Sequence, residues 1–262
     1  MEITSQSQLR AHGAPNFCYL CGGDLSNGLA LNRDHCPPKS FFAPADRINY
    51  PLILPTHQPC NNSWHGADEL IAILADALHS NVKNQNQSLL RKLDVEIVTL
   101  NGQLASALTN FPLAPMTGRI IRGMHSLLYR EYLPPSINNK FHAPLPEAEA
   151  NTKLLKLPLE QTFAFSETLR KAVLTDSAEI VRAYNGKFKY ACTWEHLDDG
   201  TPFCIFAFDI YRFYALAPPL NDFPRAFIGM YIPEQAPDLC SWAPRIEMEF
   251  SREEILHPLA QT

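Results

Sequence analysis

Residues 18–60 read CYLCGGDLSNGLALNRDHCPPKSFFAPADRINYPLILPTHQPC, a stretch bracketed by Cys18-Tyr-Leu-Cys21 and His57-Gln-Pro-Cys60. Each bracket places two ligand-type side chains three positions apart, so that one tight turn can aim both at a single ion. Three thiols and an imidazole suit a closed tetrahedral Zn2+ site, because this borderline-soft ion takes sulfur and nitrogen ligands and a structural site leaves no open position. Pro55 and Pro59 tighten the second turn. His65 is a second imidazole within reach of Cys60; His57 is preferred because HxxC mirrors the CxxC turn. A zinc held here closes a loop of about 35 residues and stabilises a piece too small to hold itself by apolar burial alone.

Working outward, Phe17 to Cys21 and Leu29 to His35 read as short strands around Gly22-Gly23, and Pro37-Pro38 stops the second because proline cannot donate to a ladder. Pro51 to Pro55 is a brief extended piece. From about Asn61 or Trp64 a helix is expected, since Leu70, Ile71, Leu74, Ala75 and Leu78 recur at helical spacing. Asp68 and Glu69 fall in its early turns, where negative charge suits the helix dipole. Inside the clamp stands Asp34-His35, a carboxylate able to hold a hard cation beside an imidazole able to take a proton from water. Neighbours on a strand point to opposite faces, so the two serve one site only where the chain bends, and Pro37-Pro38 supplies a bend. Lys39 reads as a solvated lysine or as a phosphate contact.

Taken singly, Asp34-His35 is a surface pair, Asn61 a helix N-cap and Asn49 a turn residue. Together, Cys18-x-x-Cys21, Asp34-His35-x-x-Pro38, Asn49 fourteen residues after the histidine, and the Cys60-Asn61 step resemble the HNH endonucleases of the ββα-metal fold. The match covers about residues 16–70. What the resemblance implies is a zinc-clamped ββα module in which His35 is the general base. Asp34 and Asn61 would bind a catalytic Mg2+ or Mn2+, and Asn49 would orient His35. DNA is the implied substrate, and defence against foreign DNA is an analogy only. The chain departs from the family pattern at His57, where cysteine is commoner, and at Tyr50-Pro51. Asn62, Ser63 and Trp64 stand where a basic residue usually follows the helix asparagine, so His65 or Asp68 could add a ligand.

The rest of the chain carries no comparable motif. Asn81 to Ser88 is polar and suggests a boundary between a 1–80 module and an 81–262 α+β region serving recognition, regulation or partner binding. Leu89 to Leu108 looks partly helical. Arg119 to Tyr132 looks helical up to Pro134-Pro135, with Arg119 and Arg122 on one face, either solvated or set against phosphates. Phe188 to Trp194 and Phe203 to Phe213 flank Asp199-Gly200 as a hairpin, and Ala226 to Ile232 and Ile246 to Phe250 extend a mostly antiparallel sheet. Cys36, Cys192, Cys204 and Cys240 read as buried thiols. The expected fold class is therefore α+β.

Composition bounds the function. With 46% hydrophobic and 19% charged residues the chain is globular. It has no apolar run of about 18 residues to span a membrane, and its polar first residues suggest a cytoplasmic protein. There, seven cysteines favour thiols or metal ligands over disulfides. A net charge of −5 argues against coating nucleic acid by bulk electrostatics. It also supports the alternative of a catalytically silent zinc-ribbon module that binds nucleic acid or protein.

Overall fold

A computed structural model describes residues 2–3, 5–42, 44–47, 52–79, 94–100, 103–109, 113–134, 138–142, 159–210 and 227–232. Near the N-terminus, β1 (Glu2–Ile3) precedes α1 (Gln6–His12), whose backbone is capped by the Ser5 hydroxyl accepting from Gln8 N–H at 3.2 Å. The bracketed stretch then forms β2 (Leu31–His35) and β3 (Ile53–His57), paired antiparallel from Leu31↔His57 to His35↔Ile53. Two 3-10 turns, Lys39–Phe41 and Pro44–Arg47, lie in the connection. Directly after β3 come α2 (Gln58–Asn62) and, past a break at Ser63-Trp64, α3 (His65–His79).

One expectation needs correcting here. Phe17 to Cys21 is a turn, not a strand. Its one ladder contact is the isolated bridge Phe17↔Asp24, because the knuckle folds the chain back through Gly22 N–H to Cys18 C=O (2.7 Å) and Cys18 N–H to Gly23 C=O (2.9 Å). The helix expected from Asn61 or Trp64 is α3, and the short α2 precedes it, with His57 as its N-cap and Pro59 in its first turn, where the missing N–H costs nothing.

Beyond position 80, β4 (Asp94–Leu100) and β5 (Gln103–Thr109) form a hairpin in register Leu100↔Gln103, which replaces the partly helical segment expected over Leu89 to Leu108. Helix α4 (Leu113–Tyr129) follows, then β6 (Asn138–His142), α5 (Leu159–Leu174) and the strands β7 (Glu179–Ala183), β8 (Phe188–His196), β9 (Pro202–Ile210) and β10 (Phe227–Ile232). These make a six-stranded sheet in the order β1-β7-β8-β9-β10-β6, antiparallel except for β1 against β7. The β8–β9 turn is wider than two residues. Pairing ends at His196↔Pro202, Leu197 N–H reaches Thr201 C=O at 2.9 Å, and Gly200 takes φ +88°. The expected strand at Ile246 to Phe250, and Cys240, lie outside the described residues.

The sheet shows why period-2 patterning matters. Phe188, Tyr190 and Cys192 on β8, with Cys204, Phe206 and Phe208 on β9, enter the main core, while Ile205 and Ala207 face Leu169 of α5. Helix α4 runs through the core. Every residue from Met116 to Leu128 is buried, as expected of a helix packed on all sides. One continuous core joins Tyr19, Leu20 and Trp64 of the bracketed unit, Ile120 and Met124 of α4, and Phe206 and Tyr231 of the sheet, so it crosses the composition break at 81–88. Gly123 permits the closest approach: a Cβ there would fall 2.3 Å from Cys36 Sγ. Tyr184 adds a second tie, stacking on Phe42 at 3.9 Å and donating its hydroxyl to the Pro37 carbonyl at 2.8 Å. Among the described residues no helix is long and apolar enough to cross a membrane.

Candidate metal centre and the Asp34-His35 corner

The four residues singled out by spacing converge. Ligand atoms of Cys18, Cys21, His57 and Cys60 all lie within 4.8 Å of one another. Zn–S bonds of about 2.3 Å in a tetrahedron put sulfurs roughly 3.8 Å apart, so the cluster is of the right size for zinc. The β2–β3 register carries His57 to the end of its strand, and α2 starts there, so Cys60 arrives one turn later. His65 is exposed on the first turn of α3 and is not one of the four.

The surroundings fix the imidazole. His57 Nε2–H donates to the Asp24 carbonyl at 3.1 Å, which leaves Nδ1 bare, 3.4 Å from Cys21 Sγ and pointing into the cluster. Asp24 is itself tied down by Ser26, whose N–H and hydroxyl donate to Asp24 Oδ1 at 2.7 and 2.8 Å. Gly22 takes φ +74°, and a Cβ on Gly23 would press on His57 Cε1 at 3.1 Å. Hydrogen bonds from Cys18 and Cys60 push the Cys21 thiol down strongly, while the same contacts push Cys18 and Cys60 up. One thiolate is thus already favoured where a cation would stabilise all three. Neither Asp24 nor the two glycines was marked by ligand spacing; the Gly-Gly pair after CxxC was the available signal.

The second predicted site is arranged differently. Along β2 the side chains alternate: Arg33 is exposed, Asp34 is 3% exposed, and His35 is half-buried on the other face. Asp34 faces inward against α4. Its Oδ1 accepts from Arg119 Nη2 at 2.6 Å and its Oδ2 from the Tyr19 hydroxyl at 2.5 Å. Arg119 Nη1 donates to Asp68 Oδ1 at 2.7 Å, Arg119 Nε reaches the Tyr19 oxygen at 3.2 Å, and the guanidinium stands 4.8 Å from the Trp64 ring centre. Burial would weaken the Arg119 charge, but Asp34, Tyr19 and Asp68 outweigh it and hold the guanidinium firmly protonated. Burial also drives Tyr19 well above its ordinary range, helped by the Asp34 charge, so it stays a neutral donor.

Arg119 and Arg122 are each 1% exposed, which corrects the expectation of a solvated or phosphate-facing pair. They share a helix face as the spacing predicts, but that face is interior. Arg122 Nε and Nη1 make no hydrogen bond to a described residue, and burial lowers its pKa.

His35 makes no hydrogen bond to another described residue. Burial, then the Lys39 charge, lowers its pKa, with Arg33 adding to the effect, so the ring is neutral near pH 7. Asn61 sits half-buried in α2, its carbonyl accepting from Trp64 N–H at 3.2 Å. Asn49 lies outside the described residues. With both Asp34 oxygens engaged and the carboxylate enclosed, Asp34 and Asn61 as arranged do not fit a hard cation, which needs open oxygen ligands. Outside this corner, Ser40, His65, Gly66, Asp68, Glu69 and Ala72 line an open cavity of about 410 Å3.

Comparison with family models, with curated proteins and with solved structures gives no match to this chain.

Proposed function

We propose that the chain is a nuclease of the HNH type, in which a zinc-held strand–strand–helix unit presents His35 to the phosphodiester backbone of DNA. One observation carries this: β2 and β3 run antiparallel and pass directly into α2, with the four-ligand cluster at the base of the unit and His35 at its far end. The order of elements and the placement of the histidine agree with the family that the motifs resemble. The face that bears His35 also bears exposed Arg33, and exposed Lys39 lies close by. Two cations beside a neutral imidazole suit an anionic substrate. His35 would take a proton from the attacking water, and Arg33 and Lys39 would hold phosphate oxygens. Zinc would be structural, fixing the start of the helix against the strands.

A second reading, a zinc-clamped binding module without hydrolytic activity, draws on a specific observation. In this arrangement Asp34 neutralises Arg119 instead of facing His35. The two are separated by plasmid nicking with full-length protein, with and without Mg2+ or Mn2+, beside His35→Ala. Nicking by the parent and its loss in the variant support the hydrolytic assignment. Nicking that persists unchanged in His35→Ala removes His35 as the base, and no cleavage of DNA or RNA leaves the binding module. Metal analysis of the same samples is expected to give about one zinc per chain, lost on Cys21→Ser.

A further inference from the structure

Asp34 and His35 are neighbours on β2, yet the two faces they point to differ in what they can do. On the inner face both Asp34 oxygens are engaged, one by Arg119 Nη2 at 2.6 Å and the other by the Tyr19 hydroxyl. Arg119 also holds Asp68 at 2.7 Å, lies against the Trp64 ring and is 1% exposed. The positive charge at this carboxylate is therefore the guanidinium, and the enclosed oxygens do not fit a divalent ion. Such an ion, where a site holds one, turns water into a nucleophile at neutral pH. A substrate that carries its own nucleophile has no need of that step.

The outer face supplies what such a substrate requires. Asp34 is the only carboxylate on β2 and β3, and it points inward, so the outward positions are Arg33 and His35, set across from Pro55 and Ile53. Arg33 is exposed, and His35 is half-buried without a hydrogen bond to another described residue. Exposed Lys39 stands close enough for its charge to act on the imidazole. We infer that this face cleaves RNA by internal transesterification, with no divalent ion at Asp34: His35 takes the proton of a ribose 2′-hydroxyl while Arg33 and Lys39 hold the adjacent phosphate. The 2′ oxygen forms a bond to phosphorus, the P–O5′ bond breaks, and the departing O5′ takes a proton from water. The products are a 2′,3′-cyclic phosphate and a 5′-hydroxyl, and the imidazolium returns its proton to solvent. Because the nucleophile is tethered beside the phosphate, the step needs a base and charge stabilisation and no activated water. DNA has no 2′-hydroxyl and cannot follow this route. The inference rests on the proposed function only for His35 as the base; it replaces the attacking water by a hydroxyl of the substrate.

The test uses zinc-loaded full-length protein, desalted until metal analysis finds zinc alone, on end-labelled RNA and on the same RNA with one 2′-deoxynucleotide. RNA is expected to be cut without added Mg2+ or Mn2+, to leave a 2′,3′-cyclic phosphate, and to stay intact at the 2′-deoxy position. His35→Gln is expected to slow the cutting by on the order of 10²–10⁴-fold. Absence of RNA cleavage, cleavage only with added Mg2+ or Mn2+, cleavage at the 2′-deoxy position, or an unchanged rate in folded His35→Gln each overturns the inference. The 2′-deoxy comparison needs only the parent protein, so it decides the matter even if the variant does not fold. Mg2+-dependent nicking of DNA that is lost in His35→Ala, with RNA left intact, removes this inference and leaves the proposed function standing. RNA cleavage without added Mg2+ or Mn2+, with DNA uncut, does the reverse: it supports the inference and removes DNA as the substrate.

Discussion

Replacing Asp34 by alanine distinguishes a structural carboxylate from a surface ligand through stability alone. A solvent-facing metal ligand can be removed within about 0.5 kcal/mol. Asp34, by contrast, is 3% exposed and accepts from both Arg119 and the Tyr19 hydroxyl. Removing one partner of a buried ion pair costs about 3–5 kcal/mol, because the other charge is left uncompensated. Here Asp68 still holds one arm of the guanidinium, which places the expected loss near the lower end, about 3 kcal/mol. Asn at the same position keeps an acceptor for Tyr19 and should cost less, about 2 kcal/mol. The assay is equilibrium urea unfolding with zinc in excess. At a slope near 2 kcal/mol per molar urea, Asp34→Ala should lower the midpoint by roughly 1.5 M with the slope unchanged. A cycle with Arg119→Met should show that removing both partners costs less than the sum of the single losses. A midpoint shift below about 0.25 M for Asp34→Ala would mean that the carboxylate is not enclosed beneath Arg119.

Gly123→Ala sets helix propensity against packing. Alanine normally gains about 1 kcal/mol over glycine inside a helix. Its Cβ here would lie 2.3 Å from Cys36 Sγ and 3.2 Å from Cys36 Cβ, and overpacking of this kind costs about 1–3 kcal/mol. We expect a net loss of about 1 kcal/mol by urea unfolding, partly restored by Cys36→Ala; a Gly123→Ala protein more stable than the parent contradicts the close approach. His125 provides the pH dependence. Burial holds its pKa down to about 4 from 6.5. It faces the Tyr231 hydroxyl at 2.7 Å and the rings of Tyr129 and Trp194, with exposed Glu131 3.7 Å from Nε2. The unfolded chain therefore binds the extra proton first, so the contribution of neutral His125 is full above pH 6.5 and is lost as pH falls toward 4, by up to about 3 kcal/mol. Asp68, which burial pushes up to about 6, works in the opposite direction over the same range, so the pH curve of the parent minus that of His125→Asn isolates the effect. A difference curve that is flat between pH 6.5 and 4 removes His125 as its source.

The four-ligand cluster was legible because its information is local: two turns, each with a ligand pair at fixed spacing, need only one strand pairing to meet. The choice of His57 over His65 follows from the Leu31↔His57 register. The fate of Asp34 was not legible in the same way, since its partner lies on another element 85 positions away. Met116, Ile120, Ile121, Met124, Leu127 and Leu128 make one apolar face, while Arg119, Arg122, His125 and Ser126 lie opposite, so the segment reads as a surface helix and gives no sign that its two arginines are interior. The β4–β5 hairpin was also written in the chain. Asn101-Gly102 after the β-branched run Val95 to Thr99 is the strongest short hairpin signal, and it outweighs the helical look of Leu104 to Leu108. The knuckle residues Phe17 to Cys21 read as a strand because they are apolar, but the two cysteines require a turn.

The long interval between Asp34 and Arg119 also has a temporal side. A ribosome adding roughly 5–20 residues each second separates the two by about 4–17 s. From residue 60 onward, about 3–12 s before Arg119 is added, the nascent chain contains every residue of the four-ligand cluster, while its aspartate has no guanidinium to meet. Translation thus completes the ligand set before the ion pair can form.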